Sequence, residues 1–204
     1  MIAIVSCGPS LNETLPVYLN QDYDFTIAVN KAVEAVHATH YAVRDWKSLV
    51  NWKFKNPNLT LGVRPSLVPS ALSVHPEADF LRELSQVDVG KLGGVPRSLL
   101  QCSTSGPYAL ILAIELATAH GLQSIDCYGC DMGGTGHFKI TDSDDDPRGF
   151  GCNRKAKRWA RERKHWANLT RFAASAGMTV TRIRASPSSR SSQKTTPTQP
   201  ALHG

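Results

Sequence analysis

The segment from Tyr108 to Ala119 constrains the fold of this chain more than any other, because it is apolar almost all round. A helix without a polar face must be buried on several sides, which requires a sheet or other helices around it. Residues 103–107 (STSGP) precede it with hydroxyls that can cap a helix and a proline that suits its first turn. The sequence therefore predicts a buried helix from about residue 104 to His120.

Short apolar runs bounded by turn residues predict strands at residues 2–6, 25–29, 40–43, 59–63, 124–128 and 178–183. Helical patterns fall between them, chiefly at 31–38, 77–85 and 153–176, whereas residues 11–19 contain Pro16 and residues 64–76 contain three prolines and look irregular. Alternating strands and helices predict an α/β fold: a single Rossmann-like, mostly parallel sheet with helices on both faces.

The sequence predicts one domain over residues 1–184 and a disordered tail over 185–204, which is rich in Ser, Pro, Thr and Gln. Residues 133–152 are rich in Gly and Asp and predict a flexible loop that could act as a lid. No apolar run approaches the roughly 20 residues needed to cross a bilayer, and the N-terminus lacks the pattern of a signal peptide. We therefore expect a cytoplasmic protein.

The formal charge of +6 is concentrated in one segment. Seven basic residues lie between Cys152 and Trp166, against the single acid Glu162: Arg154, Lys155, Lys157, Arg158, Arg161, Arg163 and Lys164. The run is either a solvated helix face or a surface that faces phosphates of a nucleotide or a nucleic acid. The acidic run at residues 142–146 lacks the pattern of a calcium loop, so we expect it to be solvated or to neutralise the basic run.

Five cysteines without a secretion signal predict reduced thiols. Cys127 and Cys130, with His137 and Cys152 downstream, have spacings that invite a zinc interpretation. However, residues three apart in a strand point to opposite faces, which suits shared metal ligation poorly. We therefore expect buried thiols and no metal site.

Four groups of residues fall where parallel sheets bind ligands, at the carboxyl ends of strands and at a helix start. They are Cys7, Gly8, Pro9 and Ser10 after the first strand, Asn30 after the second, residues 129–131 after the strand at 124–128, and Thr104, Ser105 and Gly106. Turn and capping chemistry would explain each group alone. Their joint placement at one edge predicts a nucleotide site.

Residues 2–11 (IAIVSCGPSL), 24–31 (DFTIAVNK), 104–108 (TSGPY) and 129–132 (GCDM) together resemble the bacterial sialyltransferases of glycosyltransferase family 42. They are equally similar to the wider set of proteins with a GPSL turn, which includes hydroxymethylpterin diphosphokinases. In family 42 the corresponding motifs surround a cytidine-nucleotide sugar. The resemblance implies a transferase that moves a sugar from a nucleotide-sugar donor to a hydroxyl acceptor, either a glycan or a modified nucleic-acid base.

Carried over by position, the resemblance implies that Gly8 lets the backbone approach the nucleotide and that Asn30 lies near its base or ribose. It also implies that Thr104, Ser105 and Gly106 contact the donor, while Cys7 stands where the family has an asparagine. A bulky replacement of Gly8 should then abolish nucleotide binding, and it should leave folding largely intact if the turn tolerates a side chain.

The reaction needs a base for the acceptor hydroxyl and cations for the leaving phosphate. His137 in the lid loop is the favoured base, and His165 lies nearer the position of the family histidine. Asp131 could hold the acceptor or a metal, as could Asp45. Arg154, Arg158 and Arg161 are the predicted phosphate contacts. Two alternatives stay open: a non-catalytic nucleotide- or nucleic-acid-binding protein, and a diphosphotransferase acting on a small heterocycle.

Overall fold

A computed structural model describes residues 1–51, 53–102, 104–131 and 156–184. Within these ranges the chain forms a seven-stranded sheet in which every adjacent pair of strands is parallel. The strands are β1 (Ile2–Val5), β2 (Phe25–Val29), β3 (His40–Ala42), β4 (Thr60–Val63), β5 (Gln86–Asp88), β6 (Ser124–Tyr128) and β7 (Thr179–Arg182). Their order across the sheet is β5-β4-β3-β2-β1-β6-β7. The predicted parallel α/β fold is thus confirmed.

Helices cover both faces of the sheet, as the sequence predicted. They are α1 (Leu11–Leu19), α2 (Trp46–Asn51), α3 (Leu67–Val74), α4 (Ser105–His120) and α5 (Ala156–Ser175), with 3-10 helices at Asn30–Glu34, Pro76–Arg82 and Arg97–Leu99. Helices α4 and α5 form one core with one face of the sheet, and α1, α2 and α3 form a second core with the other. None of the described helices has the length and apolar content needed to span a bilayer.

Strand β1 shows why the strands of this sheet appear in the sequence as continuous apolar runs. Ile2 and Ile4 face the core under α4, whereas Ala3 and Val5 face the core under α1. A strand that is covered on both faces cannot alternate apolar with polar residues, so it appears in the sequence as a continuous apolar run.

Helix α4 lies in the core, as its apolar composition predicted, and twelve of its sixteen residues are buried. Pro107 falls in the first turn, where the missing N–H has no partner to lose. The helix ends at Gly121, whose φ of 67° is the left-handed conformation that glycine adopts most readily.

The region between β4 and α4 departs most from the sequence prediction. Residues 64–76 were expected to be irregular, yet α3 forms there because Pro69 occupies the first turn, where a helix needs no N–H donor. Strand β5 was missed because it is short, half-exposed and at the sheet edge, where a clear apolar run is not required. In the region of α1, too, the helix continues through the exposed Pro16.

Strand β1 marks the point where the sheet changes direction. The chain proceeds from β1 through β2, β3, β4 and β5 on one side, and it returns to the other side of β1 for β6 and β7. Ligands of open parallel sheets bind at the carboxyl ends of the strands at such a reversal. The edge formed by the carboxyl ends of β1 to β6 is therefore the place to look for a site.

Candidate functional site

All four groups of predicted residues lie at this one edge of the sheet. Residues 7–10 follow β1, Asn30 follows β2, residues 129–131 follow β6, and α4 starts nearby with Ser105. Their chemistry differs, however. The ends of β1 and β6 are joined by contacts within the protein and border one cavity, and the start of α4 borders another.

The ends of β1 and β6 are joined by continued backbone pairing. The N–H of Ser6 donates to the carbonyl of Tyr128 at 2.8 Å, and that of Gly8 donates to the carbonyl of Gly129 at 2.9 Å. A Cβ built on Gly8 would lie 2.2 Å from Oδ2 of Asp131 and 2.4 Å from the carbonyl oxygen of Gly129. Atoms cannot approach so closely, so the protein's own packing requires glycine at residue 8.

This packing bears on two expectations drawn from the sequence. The glycine at residue 8 needs no nucleotide to explain it, and a larger side chain there would disrupt the junction of β1 and β6 instead of leaving folding intact. Cys7, expected to stand at the position of a donor contact, is 6% exposed and belongs to the core beneath α1.

Asp131 accepts a hydrogen bond at the start of α1. Its Oδ2 accepts a hydrogen bond from the N–H of Ser10 at 2.9 Å, across 121 positions of sequence. The Ser10 side chain makes no capping bond, and Pro9 is exposed in the turn before it. A carboxylate at a helix N-terminus compensates both the free N–H groups and the helix dipole. The structure therefore gives Asp131 a stabilising role at the place where a phosphate would otherwise bind.

Asn30 has a left-handed backbone with a φ of 52°, unusual for a residue other than glycine. Its Oδ1 accepts from the Ser48 hydroxyl at 3.4 Å. Ser48 also receives support from Asp45, whose Oδ1 accepts from the Ser48 N–H at 3.0 Å. Asp45 thus stabilises the first turn of α2, and Asn30 is half-buried beside it.

The start of α4 is approached by a carboxylate from another helix. Thr104 occupies the capping position, but its side chain makes no capping hydrogen bond, contrary to the prediction from its hydroxyl. A Cβ built on Gly106 would lie 3.3 Å from Oε1 of Glu162, a residue of α5 that is only 8% exposed. The carboxylate of Glu162 therefore lies close to the first turn of α4.

A cavity of about 230 Å³ opens between the start of α4 and helix α5. Its lining combines Thr104 with Glu162, Arg161, Lys164 and His165, and with Gln101, Cys102, Pro107 and Asn168. The structure thus brings together two of the predicted site residues from α5, Arg161 and His165, with the predicted threonine of α4.

His165 is held in one orientation. Its Nε2 lies 2.9 Å from the carbonyl oxygen of Leu99. Because a carbonyl can only accept, Nε2 carries the proton and Nδ1 of the neutral ring has the free lone pair. A histidine whose second nitrogen is fixed in this way is prepared to accept a proton.

Three of the predicted site residues cannot be placed. His137 and Arg154 lie outside the described residues, as do the lid loop and the tail. Arg158 belongs to the backbone of α5, but its side chain lies outside the described part of the chain.

Cys127 and Cys130 face the same side, which corrects the expectation that they point apart. Gly129 has a left-handed φ of 62°, and this turn brings Cys130 back toward Cys127. Both thiols are buried, both line a second cavity of about 350 Å³ with Asp131 and Arg182, and contact with Cys130 together with burial raises the pKa of the Cys127 thiol. In the described ranges, no three His, Cys, Asp or Glu side chains cluster as a metal site would require.

Two arginines at this edge were not among the residues that the sequence patterns indicated. Arg44 and Arg64 follow the ends of β3 and β4, the two neighbours beyond β2. Nη1 of Arg44 donates to Sγ of Cys102 at 3.3 Å, and its Cζ lies 5.5 Å from the centre of the Tyr108 ring. The charge of Arg64 acts on the Cys102 thiol and the Tyr108 hydroxyl alike. The rule that ligands bind at strand ends could have identified both arginines.

Tyr108 and Cys102 lie beneath these charges. Burial raises the pKa of Cys102 to about 12, so the thiol is neutral, and burial also raises the pKa of Tyr108. Tyr108 is 3% exposed, and its hydroxyl has no hydrogen-bond partner among the described residues. In that same part of the chain, neither arginine lies within ion-pair distance of a carboxylate.

No known protein family matches this chain, and neither does any curated protein or solved structure. The resemblance to family 42 therefore stays a prediction. What the chain does has to be inferred from its own residues, above all from the cavity at the start of α4 and the arginine pair beside it.

Proposed function

We propose that this protein is a glycosyltransferase that moves a sugar from a nucleotide-sugar donor to a hydroxyl acceptor. The observation that carries the proposal is the cavity between α4 and α5, where an oriented histidine, His165, faces the same space as Arg161 and Thr104. A base and a cation within one cavity, beside the Thr104 hydroxyl, are the groups that transfer from a phosphate leaving group requires.

The size of the cavity supports a division of the donor between two places. About 230 Å³ is less than the roughly 300–1,000 Å³ of a typical site for a whole ligand, so the cavity holds a sugar or a phosphate. The nucleoside then extends along the open carboxyl edge toward Asn30. This arrangement keeps the bond that breaks inside the cavity and leaves the nucleoside in contact with the strand ends.

The chemistry follows from the hydrogen bond of His165. With Nε2–H donating to Leu99, Nδ1 takes the proton of the acceptor hydroxyl. The acceptor oxygen forms a bond to the anomeric carbon of the sugar, and the bond from that carbon to the phosphate oxygen breaks. The nucleotide leaves with the additional negative charge, which Arg161 stabilises.

Helix α5 also suggests where the acceptor approaches. Arg161, Arg163 and Lys164 are exposed along it, and they continue the basic run of the sequence. Such a surface attracts a polyanion before any specific contact forms. A modified base in a nucleic acid is therefore the preferred acceptor, with a surface glycan as the second possibility. The reaction takes place in the cytoplasm.

The proposal is tested by a panel of nucleotides and nucleotide sugars in a thermal-shift assay, followed by detection of the free nucleotide released from each donor that binds. A ligand that binds only the folded state raises Tm, by an amount equivalent to about 2.7 kcal/mol at 100 times Kd. We expect one nucleotide sugar to raise Tm and to be hydrolysed slowly without an acceptor.

Other outcomes identify other functions. Binding without any turnover would indicate a binding protein, and AMP release from ATP with a small heterocycle would indicate a diphosphotransferase. If no nucleotide or nucleotide sugar raised Tm, the proposed function would be wrong.

A further inference from the structure

Two groups of cations flank the start of α4. Arg161 and Lys164 reach the cavity from α5, and Arg44 and Arg64 approach from the ends of β3 and β4. Cys102 connects the two groups, since it lines the cavity and accepts a hydrogen bond from Arg44. The two groups therefore belong to one continuous edge, with the base His165 on the α5 side only.

The helix starts at this edge do not provide the phosphate contacts. Asp131 already accepts from the first turn of α1, and the carboxylate of Glu162 lies against the first turn of α4. A phosphate at either helix start would meet a like charge. Phosphate binding must therefore depend on side-chain cations, and the positions of those cations indicate how many phosphates are held.

Two observations indicate that the arginine pair lacks a ligand group. Arg44 is half-buried and contacts a neutral thiol and an aromatic ring, and in the described part of the chain no carboxylate pairs with it or with Arg64. The buried hydroxyl of Tyr108 beneath them has no partner among the described residues. The acid that ends β5, Asp88, is itself paired with Lys91 at 2.7 Å.

The chemistry of these groups defines what they bind. A guanidinium offers parallel N–H donors that match two phosphate oxygens, and a phenol O–H donates one further bond. A neutral ligand would leave two positive charges uncompensated at this edge. An anion with several acceptor oxygens satisfies all three side chains at once.

We infer that Arg44, Arg64 and the Tyr108 hydroxyl form a second phosphate subsite, and that the donor is a nucleoside diphosphate sugar and not a nucleoside monophosphate sugar. One phosphate lies with Arg161 near His165, and the other lies with Arg44 and Arg64. The inference rests on the proposed function, because it names the donor class of the same site.

The test compares nucleotides that differ by one phosphate. Isothermal titration calorimetry is run with AMP and ADP, CMP and CDP, GMP and GDP, and UMP and UDP, so the identity of the base does not have to be known. For the preferred base we expect the diphosphate to bind at least about tenfold more tightly than the monophosphate, since charge-assisted bonds to a second phosphate contribute at least that much.

Substitutions test which residues cause the difference between diphosphate and monophosphate affinity. Arg64→Gln, at an exposed position, and Arg44→Lys, which keeps the charge and the stem but loses the planar fork, should each reduce diphosphate affinity about tenfold and leave monophosphate affinity nearly unchanged. Arg82→Gln is the matched control, because it removes one positive charge from an exposed arginine whose partner is Asp79. It should alter neither affinity.

Tyr108→Phe supplies a signature that a purely structural residue would not give. Removing a buried hydroxyl that has no partner should leave the Tm of the unliganded protein unchanged or raise it, while diphosphate affinity falls severalfold. Equal mono- and diphosphate affinities would overturn the inference and leave the proposed function standing with a monophosphate donor. If neither member of any pair bound, both would be overturned.

Discussion

Two regions at the same sheet edge differ in whether their charged side chains have partners within the protein. At the junction of β1 and β6, the carboxylate of Asp131 meets the N–H of Ser10, and Gly8 and Gly129 allow the backbones to touch. At the ends of β3 and β4, Arg44 and Arg64 have no acidic partner in the described residues, and a phenol hydroxyl beneath them is unpaired. In the first region the carboxylate of Asp131 has a partner within the protein, whereas in the second the described residues offer the arginines no carboxylate.

The difference separates the recognisable motif from the groups that lack a partner. The turn after β1 carries the most recognisable sequence, yet its glycine is explained by packing against Asp131. The arginines carry no motif, yet in the described residues no carboxylate pairs with either of them. An unsatisfied buried group is a better guide to a ligand than a satisfied one, because a polar group left unpaired costs free energy and calls for an explanation.

The largest expected effect concerns the cavity between α4 and α5, beside the arginines. His165→Ala should lower turnover roughly 10²–10⁴-fold, the usual range for a general base, while nucleotide affinity stays nearly constant. Single-turnover kinetics with the donor identified by the panel would measure it. His37→Ala is the control, because His37 is exposed just before β3, at the opposite end of the sheet. Loss of nucleotide affinity in proportion to rate would show that His165 binds the donor instead.

The next effect concerns the junction of β1 and β6. Gly8→Ala places a Cβ against Asp131 and the Gly129 carbonyl, so we expect a loss of about 3 kcal/mol in the free energy of unfolding. Urea titration followed by circular dichroism measures it. Gly121→Ala is the comparison, because its Cβ would meet nothing within 4 Å and its cost of about 1–2 kcal/mol comes from the positive φ alone. Equal losses at the two positions would contradict the steric explanation of Gly8.

A smaller effect separates the two roles considered for Asp131. Asp131→Asn keeps an acceptor for the Ser10 N–H and removes the charge, so we expect a loss of about 0.5–1 kcal/mol from the helix-dipole term. For a chain of this size that corresponds to a fall in Tm of about 1–4 °C. Turnover should be retained within a few-fold. A variant with unchanged Tm and abolished turnover would assign Asp131 to catalysis.

The smallest effect tests whether a buried carboxylate always stabilises this fold. Glu115 in α4 is 1% exposed and accepts from the N–H of Gly90 at 2.9 Å, and burial raises its pKa. The folded protein therefore binds this proton more tightly than the unfolded chain does, and the resulting stability is lost as pH rises through the folded pKa. The Tm of wild type relative to Glu115→Gln should fall as pH rises from about 4 to about 7. A difference that stays constant or increases with pH would contradict this.

Much of the fold could be predicted because it depends on local pattern. The all-apolar segment of α4 had to be buried, and apolar runs as continuous as Ile2–Val5 had to be strands that are covered on both faces. The strand ends followed from those runs, and with them the common edge that holds residues 7–10, Asn30 and residues 129–131.

The weaker elements could not be predicted in this way. Strand β5 is three residues long, and α3 contains a proline, so neither has a pattern that stands out from a loop. Tertiary contacts form both. The same is true of the side on which Cys130 lies, since one left-handed residue, Gly129, reverses the alternation of the strand before it.

The sequence by itself determined a parallel α/β sheet and the residues that end its strands, because apolar periodicity and turn chemistry act over a few neighbouring positions. Only the tertiary structure decided which charges meet at that edge. Asp131 reaches Ser10 across 121 positions, Glu162 lies near the start of α4, and Arg44 lies over the Tyr108 ring. Arg64 follows β4, which lies beside β3, the strand that precedes Arg44. Strand order sets these partners, and local sequence does not encode it. The physical reason is that electrostatic and steric complementarity act through space, between groups that the chain separates widely.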